Sequence, residues 1–147
     1  DAGPGRLTAI FLLDLDGFKA VNDRLGHDVG DELLVGVGRR LEGMLRPDDV
    51  VVRFGGDEFV VVTPGLPGED AALALALKLQ RGFLEPVVAA HESCRVGLTI
   101  GYALAPLDGR DASALLRHAD SAMYAGKHSG RSCVRYGAPP VPLAVAG

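Results

Sequence analysis

The stretch RFGGDEFVVV, residues 53–62, combines features of a structural turn and of a functional site. Its Gly-Gly pair lies between two apolar runs, which is typical of a tight hairpin because glycine adopts the positive φ angles of a short reversal. Asp57 and Glu58 follow the turn directly, although acidic residues form strands poorly and are costly to bury without a partner. The hairpin therefore raises the question of what balances two adjacent carboxylates.

The composition indicates a single globular domain. The chain has 147 residues, of which 48% are hydrophobic and 23% are charged, enough apolar material for a core. A formal net charge of −4 argues against polymeric nucleic acid as a partner, since surfaces that bind it are basic. No apolar run reaches membrane-spanning length and no secretory signal opens the chain, so we expect a cytoplasmic protein without a membrane segment. Cys94 and Cys133 are expected to be buried free thiols.

Strand and helix patterns alternate along the chain. The apolar run at residues 7–16 predicts a buried strand that ends in Asp14 and Asp16, and residues 50–63 predict the hairpin. Apolar residues at helical spacing predict a helix over residues 30–45. The remaining predicted elements are helices at residues 69–84 and 111–130 and strands at residues 93–105 and 132–136.

These elements predict an α+β domain over residues 1–136, with a largely antiparallel sheet packed against helices. The Pro- and Ala-rich residues 137–147 are predicted to be a tail or linker. Tyr124 falls on the apolar face of the last predicted helix, so we expect its ring to pack in the core.

Three acids are expected to meet at one edge of this sheet. Asp14 ends the first strand, and Asp57 and Glu58 follow the hairpin turn. Gathered carboxylates repel one another unless a cation joins them, and Mg²⁺ prefers oxygen ligands together with substrate phosphates. For any one of these acids taken alone, a solvated turn residue is the better interpretation.

Residues 14–34 carry further polar groups in what reads as a glycine-punctuated turn region before the helix. Exposed amides near a helix start, with Lys19 beside them, are suited to phosphate. Asn22 and Asp31 are suited to the hydrogen-bonding edge of a base, and an acceptor such as Asp31 suits guanine. Lys127 and Arg131 form a second candidate phosphate clamp, although basic residues at a helix end also interact with its dipole.

The motifs RFGGDEF (residues 53–59) and DLDGFKAVNDRLGHDVGD (residues 14–31) resemble those of the diguanylate cyclase family, the GGDEF domains. GLTIGYA, ADSAMY and GKHSGR, which follow in family order, extend the resemblance over residues 7–136. The resemblance implies a palm-like sheet similar to that of class III nucleotidyl cyclases. It also implies condensation of two GTP into cyclic di-GMP and two pyrophosphates.

The resemblance implies a metal site and catalytic groups at the hairpin. Asp14, the Leu15 carbonyl and Asp57 would hold Mg²⁺, with Mn²⁺ as an alternative. Glu58 would add to the metal site or help to remove the proton from the attacking 3′-hydroxyl, and both divisions of roles between Asp57 and Glu58 stay open. Lys19 would neutralise charge on the reacting phosphate.

The implied substrate site uses groups from both ends of the chain. Phosphates would contact backbone amides near Phe18 and Lys19 and the side chains of Lys19, Lys127 and Arg131, guanine would contact Asn22 and Asp31, and Gly55 and Gly56 would let the nucleotide approach the turn. His27 is expected to order the turn region.

The chemistry of the product implies a homodimer in action. One domain holds one GTP and the product joins two nucleotides with two-fold symmetry, so two active sites must face each other. Arg46 and Asp49 form an Arg-x-x-Asp pair that, at this spacing from the Gly-Gly turn, is an inhibitory product site in the family. Ordinary turn residues after a helix are the alternative interpretation of this pair.

Two features leave other functions open. Family domains usually begin with a helix containing Asp-x-Leu-Thr-Gly-Leu-x-Asn-Arg-Arg, which is absent before the first strand here, so part of the sheet is expected to be uncovered. A longer protein that contains this chain is compatible with additional sensor or phosphodiesterase domains. The alternative function is a non-catalytic GTP- or cyclic di-GMP-binding regulatory module, and a cyclase acting on another purine nucleotide is a third interpretation. The enzyme is favoured because the family's functional residues are all present, namely Asp14, Lys19, Asn22, Asp31, Asp57 and Glu58.

Overall fold

The structure, a computed structural model, describes residues 5–129 and 133–137. The strands are β1 (Leu7–Asp16), β2 (Val50–Gly55), β3 (Glu58–Leu66), β4 (Val87–Ala89), β5 (Glu92–Cys94), β6 (Gly97–Ala105) and β7 (Cys133–Arg135). The helices are α1 (Phe18–Leu25), α2 (His27–Gly43), α3 (Glu69–Arg81) and α4 (Ala112–Ser129). The predicted tail lies outside the described residues, apart from Gly137, and Arg131 also lies outside them.

A five-stranded sheet in the order β2-β3-β1-β6-β7 forms the centre of the domain. Its pairs are antiparallel except for β6 with β7, and β4 and β5 form a separate small sheet. The predicted α+β class with a largely antiparallel sheet flanked by helices is therefore confirmed.

The central strand β1 is covered on both faces. Phe11 and Leu13 lie in the larger apolar cluster, which includes residues of α2 and α3. Ile10 and Leu12 lie in the second cluster, with Leu115, Ala119 and Met123 of α4. Burial on both faces explains the nearly continuous apolar run of β1. Side chains alternate along a strand, so the even-numbered acids at its end lie on the α4 face.

The region predicted as a turn between β1 and α2 contains the helix α1, and this prediction was wrong. Phe18, Val21 and Leu25 recur at helical spacing, and Val21 is buried. Gly17 at φ 89° precedes the helix, and Gly26 at φ 96° separates it from α2. The polar site residues between the apolar ones obscured this short amphipathic pattern in the sequence.

The predicted strand over residues 93–105 is divided into β5 and β6. β5 pairs with β4, a strand that the sequence did not reveal. The turn between them places Ala90 at φ 51° and His91 at φ 66°. Such a turn normally carries glycine or asparagine, so the usual hairpin signal is absent from the sequence.

The exposure of β2 and of Tyr124 can be compared with what the sequence predicts. The edge strand β2 leaves about half of Val50, Val52 and Phe54 exposed. Tyr124 was expected in the core, but it is 65% exposed and its ring lies 4.1 Å from that of His128. Cys94 and Cys133 are buried and are not joined in a disulfide, as predicted. No helix within the described ranges is long and apolar enough to cross a membrane.

Close packing of α4 on β6 depends on Gly101. A Cβ atom at this position would collide with the backbone of Met123 and Ala119. We expect Gly101→Ala to destabilise the domain by about 1–3 kcal/mol, because neither backbone can move alone. Urea unfolding would measure the change. Gly43→Ala is the control, since a Cβ there meets nothing within 4 Å, and it should be at least as stable as the wild type. Equal stability of all three proteins would contradict this packing.

Candidate active site

The acidic residues predicted for the site meet where β1 and β3 pair. Asp14 lies directly opposite Glu58 in the antiparallel register. The Leu15 amide donates a hydrogen bond to the Asp57 carbonyl at 3.2 Å, which places the hairpin turn against the end of β1. Asp14 and the two acids of the hairpin, 43 and 44 positions further along the chain, therefore form one acidic edge, as the sequence predicted.

The Gly-Gly turn is held by an arginine from its own hairpin. Gly56 adopts φ 48°, in the left-handed region that favours glycine. Arg53 donates two hydrogen bonds to the Gly56 carbonyl, from Nε at 3.1 Å and from Nη2 at 2.9 Å. The pairing register shifts between Arg53 and Gly55. This geometry turns the chain so that Asp57 follows the reversal directly.

Lys127 supplies a cation at the acidic edge. Its Nζ atom lies 2.7 Å from Asp14 Oδ2 and 3.2 Å from Asp16 Oδ1. Burial by itself would lower the pKa of Lys127, but the hydrogen bonds to the two carboxylates outweigh it and raise the pKa. The ammonium is therefore held as a charged group beside the first acid of the site.

The carboxylates of the hairpin are electrostatically strained. Partial burial is the largest cause that raises the pKa of Asp57, and repulsion from Asp14 adds to it. Burial and then Asp14 also raise the pKa of Glu58, with Asp120 of α4 and Asp57 contributing. The charge of Lys127 opposes these effects and lowers the pKa of both carboxyl groups. The edge thus carries more negative charge than its lysine balances.

These groups fit a hard divalent cation in their chemistry. The donors are carboxylate and carbonyl oxygens, which Mg²⁺ and Mn²⁺ prefer, and their mutual repulsion favours an added positive charge. As placed, no three His, Cys, Asp or Glu side chains of residues 5–129 and 133–137 converge as a ready ligand cluster. Asp14 and Asp57, with the Leu15 carbonyl, are the donors that would hold the ion.

A cleft of about 350 Å³ opens beside the acidic edge. It brings together most of the residues predicted for substrate binding and adds others: it is lined by Phe18, Lys19, Asn22, His27, Asp31, Leu34, Arg53, Gly56 and Asp57. The predicted guanine-reading residues of α1 and α2 thus face the same cleft as the turn acid. Lys127 is not among its lining residues and stands at the acidic edge instead.

The side chains that the sequence predicts to contact guanine are positioned by the contact between α1 and α2. Asn22 Nδ2 and His27 Nδ1 lie 3.0 Å apart, which is the ordering role expected of His27. Gly30 leaves room for the Asn22 side chain, since a Cβ there would collide with Asn22 Oδ1. Among the described residues, the Lys19 side chain pairs with Asp23 at 3.2 Å, and both side chains are largely exposed. Lys19 is therefore free to turn towards an anion in the cleft.

The sequence did not single out several groups that the structure places at the site. Arg53 belongs to the hairpin motif, which predicts no role for it, and Leu34 is one of the apolar residues at helical spacing that predict α2. Asp16 was noted only as the second acid of β1, and Thr99 was not noted. Their contribution depends on contacts between β1, β6 and the hairpin, which no local pattern reveals.

The Arg-x-x-Asp pair lies away from the cleft, in the turn before β2. Arg46 Nη2 donates to Asp49 Oδ1 at 2.9 Å and to the Pro64 carbonyl at 2.6 Å. The Arg46 amide also donates to Asp49 Oδ2 at 2.9 Å. The Asp49 side chain is only 1% exposed, whereas that of Arg46 is 51% exposed. The aspartate thus closes the turn, and the arginine is the accessible member of the pair.

Raised carboxyl pKa values predict a pH-dependent stability. A folded state with raised pKa values binds protons more tightly than the unfolded state, so stability is lost as the pH rises from the ordinary carboxyl range through the raised values. We expect Asp57→Asn to flatten this loss and to make the domain more stable than the wild type at neutral pH without divalent cations. Urea unfolding across the acidic to neutral range measures both effects. A variant with the same pH profile as the wild type would contradict the raised pKa of Asp57.

Solved structures with the same architecture are GGDEF cyclase domains. The crystal structure of the GGDEF domain of PA1120 (YfiN or TpbB) from Pseudomonas aeruginosa superposes with a TM-score of 0.86 at 38% identity and covers 91% of this chain and 84% of that one. The active GGEEF domain of a diguanylate cyclase from Vibrio cholerae gives a TM-score of 0.77 at 28% identity, over 91% of this chain and 85% of that one.

The family model for the diguanylate cyclase GGDEF domain matches residues 2–133. The chain belongs to the diguanylate cyclase (GGDEF domain) family. It is 42% identical over 127 residues to the bifunctional diguanylate cyclase/cyclic di-GMP phosphodiesterase MucR of P. aeruginosa. This match covers 86% of this chain and 18% of MucR. It is 39% identical over 129 residues to the probable diguanylate cyclase DgcC of Escherichia coli K12, covering 86% of this chain and 34% of DgcC. The chain thus spans about a third or less of these relatives.

Proposed function

We propose that this domain condenses two GTP molecules into cyclic di-GMP and releases two pyrophosphates. The observation that supports this most strongly is the meeting of the acidic edge with the nucleotide-sized cleft at the Gly-Gly hairpin. Asp57 belongs to both, since it lines the cleft and repulsion from Asp14 helps to raise its pKa. Diguanylate cyclase is also the activity named for several relatives.

Different residues contact the guanine base, the phosphates and the reacting groups. Asn22 and Asp31 hydrogen-bond the guanine edge in the cleft. The backbone near Phe18, together with Lys19 and Lys127, holds the triphosphate, and we assign Arg131 to the same task from the family motif. Gly55 and Gly56 carry no side chain that would block approach of the nucleotide to the turn.

The carboxylates supply the chemistry at the attacking hydroxyl. Asp14, Asp57 and the Leu15 carbonyl would hold Mg²⁺ or Mn²⁺, which when bound lowers the pKa of the 3′-hydroxyl and stabilises charge on the phosphate. Glu58 contributes a raised-pKa carboxylate beside these ligands, suited to accept the proton of the hydroxyl or to complete the site. Lys19 neutralises charge that develops on the α-phosphate during attack.

The reaction requires two copies of the domain. Each active site contributes one nucleotide, so two clefts face each other across a two-fold axis when the ring closes. The rate of product formation should therefore rise with the square of the protein concentration until the dimer is saturated. We infer that the active species is a homodimer with GTP as substrate, cyclic di-GMP as product, and no polymeric nucleic acid as partner.

Product inhibition is expected through Arg46 and Asp49. Because Asp49 is buried and fixes the turn, Arg46 is the group that contacts the product, through a phosphate or the guanine edge. Cyclic di-GMP should slow the wild type without competing with GTP. The Arg46→Ala variant should keep its activity and lose this response, as measured by titration of cyclic di-GMP during turnover. Arg39→Ala is the control, since Arg39 is an exposed residue of α2 and its replacement should leave inhibition intact.

Asp49→Ala extends the same experiment. This variant loses the acceptor that holds both the Arg46 side chain and its amide, so it should lose inhibition and some stability together. Equal inhibition of the wild type and Arg46→Ala would mean that the pair only closes the turn after α2.

The proposed activity is tested by incubating the chain with GTP and Mg²⁺ and separating the nucleotides by chromatography. Cyclic di-GMP and pyrophosphate in a ratio of one to two are expected, and ATP in place of GTP should give far less cyclic product. A domain that binds GTP or cyclic di-GMP but forms no product under any condition would be the regulatory module instead.

A further inference from the structure

Asp16 is held in one orientation by a buried threonine. Thr99 Oγ1 donates a hydrogen bond of 2.7 Å to Asp16 Oδ2, and Thr99 is only 5% exposed. Thr99 lies opposite Asp14 in the pairing of β1 with β6, and Asp16 lies opposite Gly97. The hydrogen bond is therefore diagonal, from one strand to the next residue on the same face of its neighbour. It occupies one carboxylate oxygen of Asp16 and leaves the other available.

The available oxygen of Asp16 faces Lys127. Lys127 Nζ lies 3.2 Å from Asp16 Oδ1 and 2.7 Å from Asp14 Oδ2. The lysine extends from the last turn of α4, and two acids of β1 that lie on one face therefore share its ammonium. Asp14 is the more enclosed of the two, with its side chain 15% exposed against 44% for Asp16.

The two contacts of Lys127 differ in what the reaction demands of them. In the proposed function, Asp14 gives its oxygens to a divalent cation, and Lys127 gives its charge to the phosphates. The contact between Lys127 and Asp14 must then break when the nucleotide binds. Asp16 has no such second task, so it is the carboxylate that can hold the lysine at the site throughout.

We propose that Asp16, oriented by Thr99, is a positioning residue that keeps the Lys127 ammonium beside the acidic edge and presents it to the phosphates of the incoming nucleotide. The role rests on the proposed function, because it acts on the substrate only through Lys127. It adds to that function a relay from β6 through the end of β1 to α4. Asp16 itself touches neither the base nor the reacting hydroxyl.

A double-mutant cycle tests whether Asp16 acts through Lys127. The binding of 3′-deoxy-GTP with Mg²⁺ is measured by calorimetry, since this nucleotide lacks the attacking hydroxyl and does not react. Asp16→Asn should weaken binding about five- to tenfold, because a charge-assisted hydrogen bond that holds the ammonium is replaced by a neutral one. Thr99→Val should act in the same direction with a smaller effect, since it leaves Asp16 charged but unfixed.

In the Lys127→Ala background, Asp16→Asn should change the affinity less than about twofold, because the group that Asp16 positions is already absent. Asp70→Asn, at an exposed position in the first turn of α3, is the matched control and should bind like the wild type. Full additivity of the Asp16 and Lys127 effects would overturn the proposal, since Asp16 would then act on the nucleotide or the fold by another route.

A second measurement separates this proposal from the proposed function. The ¹⁵Nζ resonance of Lys127 is followed by NMR in the nucleotide-free protein, where it should shift in Asp16→Asn and in Thr99→Val but not in Asp70→Asn. An unchanged resonance in Asp16→Asn overturns the positioning role even if the nucleotide binds. A shifted resonance in a protein that binds no 3′-deoxy-GTP overturns the proposed function instead, and with it the purpose of the contact, while the ion pair itself stands.

Discussion

Asp57→Asn is expected to abolish formation of cyclic di-GMP while the domain stays folded. Asp57 lines the cleft and belongs to the acidic edge, so the variant removes a proposed metal ligand beside the reacting hydroxyl. Loss of a group that acts in the transition state should lower the rate on the order of 100- to 1000-fold, at ~1.4 kcal/mol for each factor of ten. Product chromatography measures the rate, and far-ultraviolet circular dichroism checks the fold.

The loss should be specific to position 57, and it should affect the rate of product formation and not the stability of the fold. Asp70→Asn makes the same chemical change at the exposed start of α3 and should retain full activity. Because asparagine also removes the repulsion from Asp14, the inactive variant should be no less stable than the wild type. An Asp57→Asn protein that makes product at the wild-type rate would show that the hairpin acid is not part of the catalytic site.

Asp31→Ser is expected to weaken the use of GTP and to relax discrimination against ATP. Asp31 lines the cleft together with Asn22, and a carboxylate there accepts from the amino group and ring N–H of guanine. Leaving that edge without its acceptor should cost ~1–3 kcal/mol, or about 5- to 150-fold in kcat/KM for GTP. Steady-state kinetics with GTP and ATP measure the change in preference.

Glu32→Ser is the matched control for base recognition. Glu32 is the exposed neighbour of Asp31 on α2 and does not line the cleft, so its replacement should leave both kinetic constants unchanged. If Asp31→Ser keeps the wild-type preference for GTP, the base lies elsewhere, and the cleft between α1 and α2 is not the guanine site.

The sequence predicted most of the sheet because the relevant signals are local. The apolar run that becomes β1 is buried on both faces, and the glycines of the hairpin have the conformational freedom that their turn requires. The sequence failed where tertiary contacts override local preference. The turn at Ala90 and His91 has positive φ angles without glycine, and the packing of the β4–β5 hairpin against α2 sustains it.

The candidate site was predictable in its acids but not in their connections. Asp14 lies near the end of β1, Glu58 begins β3 and Asp57 directly precedes it, so an approximate pairing of these strands brings the three acids together. The contact of Lys127 with both acids of β1 depends on how α4 crosses the sheet, and this depends on the close approach that Gly101 permits. No periodicity in the sequence encodes that crossing, which explains why Lys127 was predicted only as a phosphate clamp.

The central claim, that two copies of this domain join two GTP molecules, is tested most directly by enforced dimerisation. The chain is compared alone and fused to a parallel leucine zipper, with GTP and Mg²⁺, and cyclic di-GMP is quantified by chromatography over a range of protein concentrations. We predict that the rate per chain rises with concentration for the free domain, and that it is higher and independent of concentration for the fusion. GTP binding by the fusion without any cyclic di-GMP, and without a difference from its Asp57→Asn variant, would contradict the account.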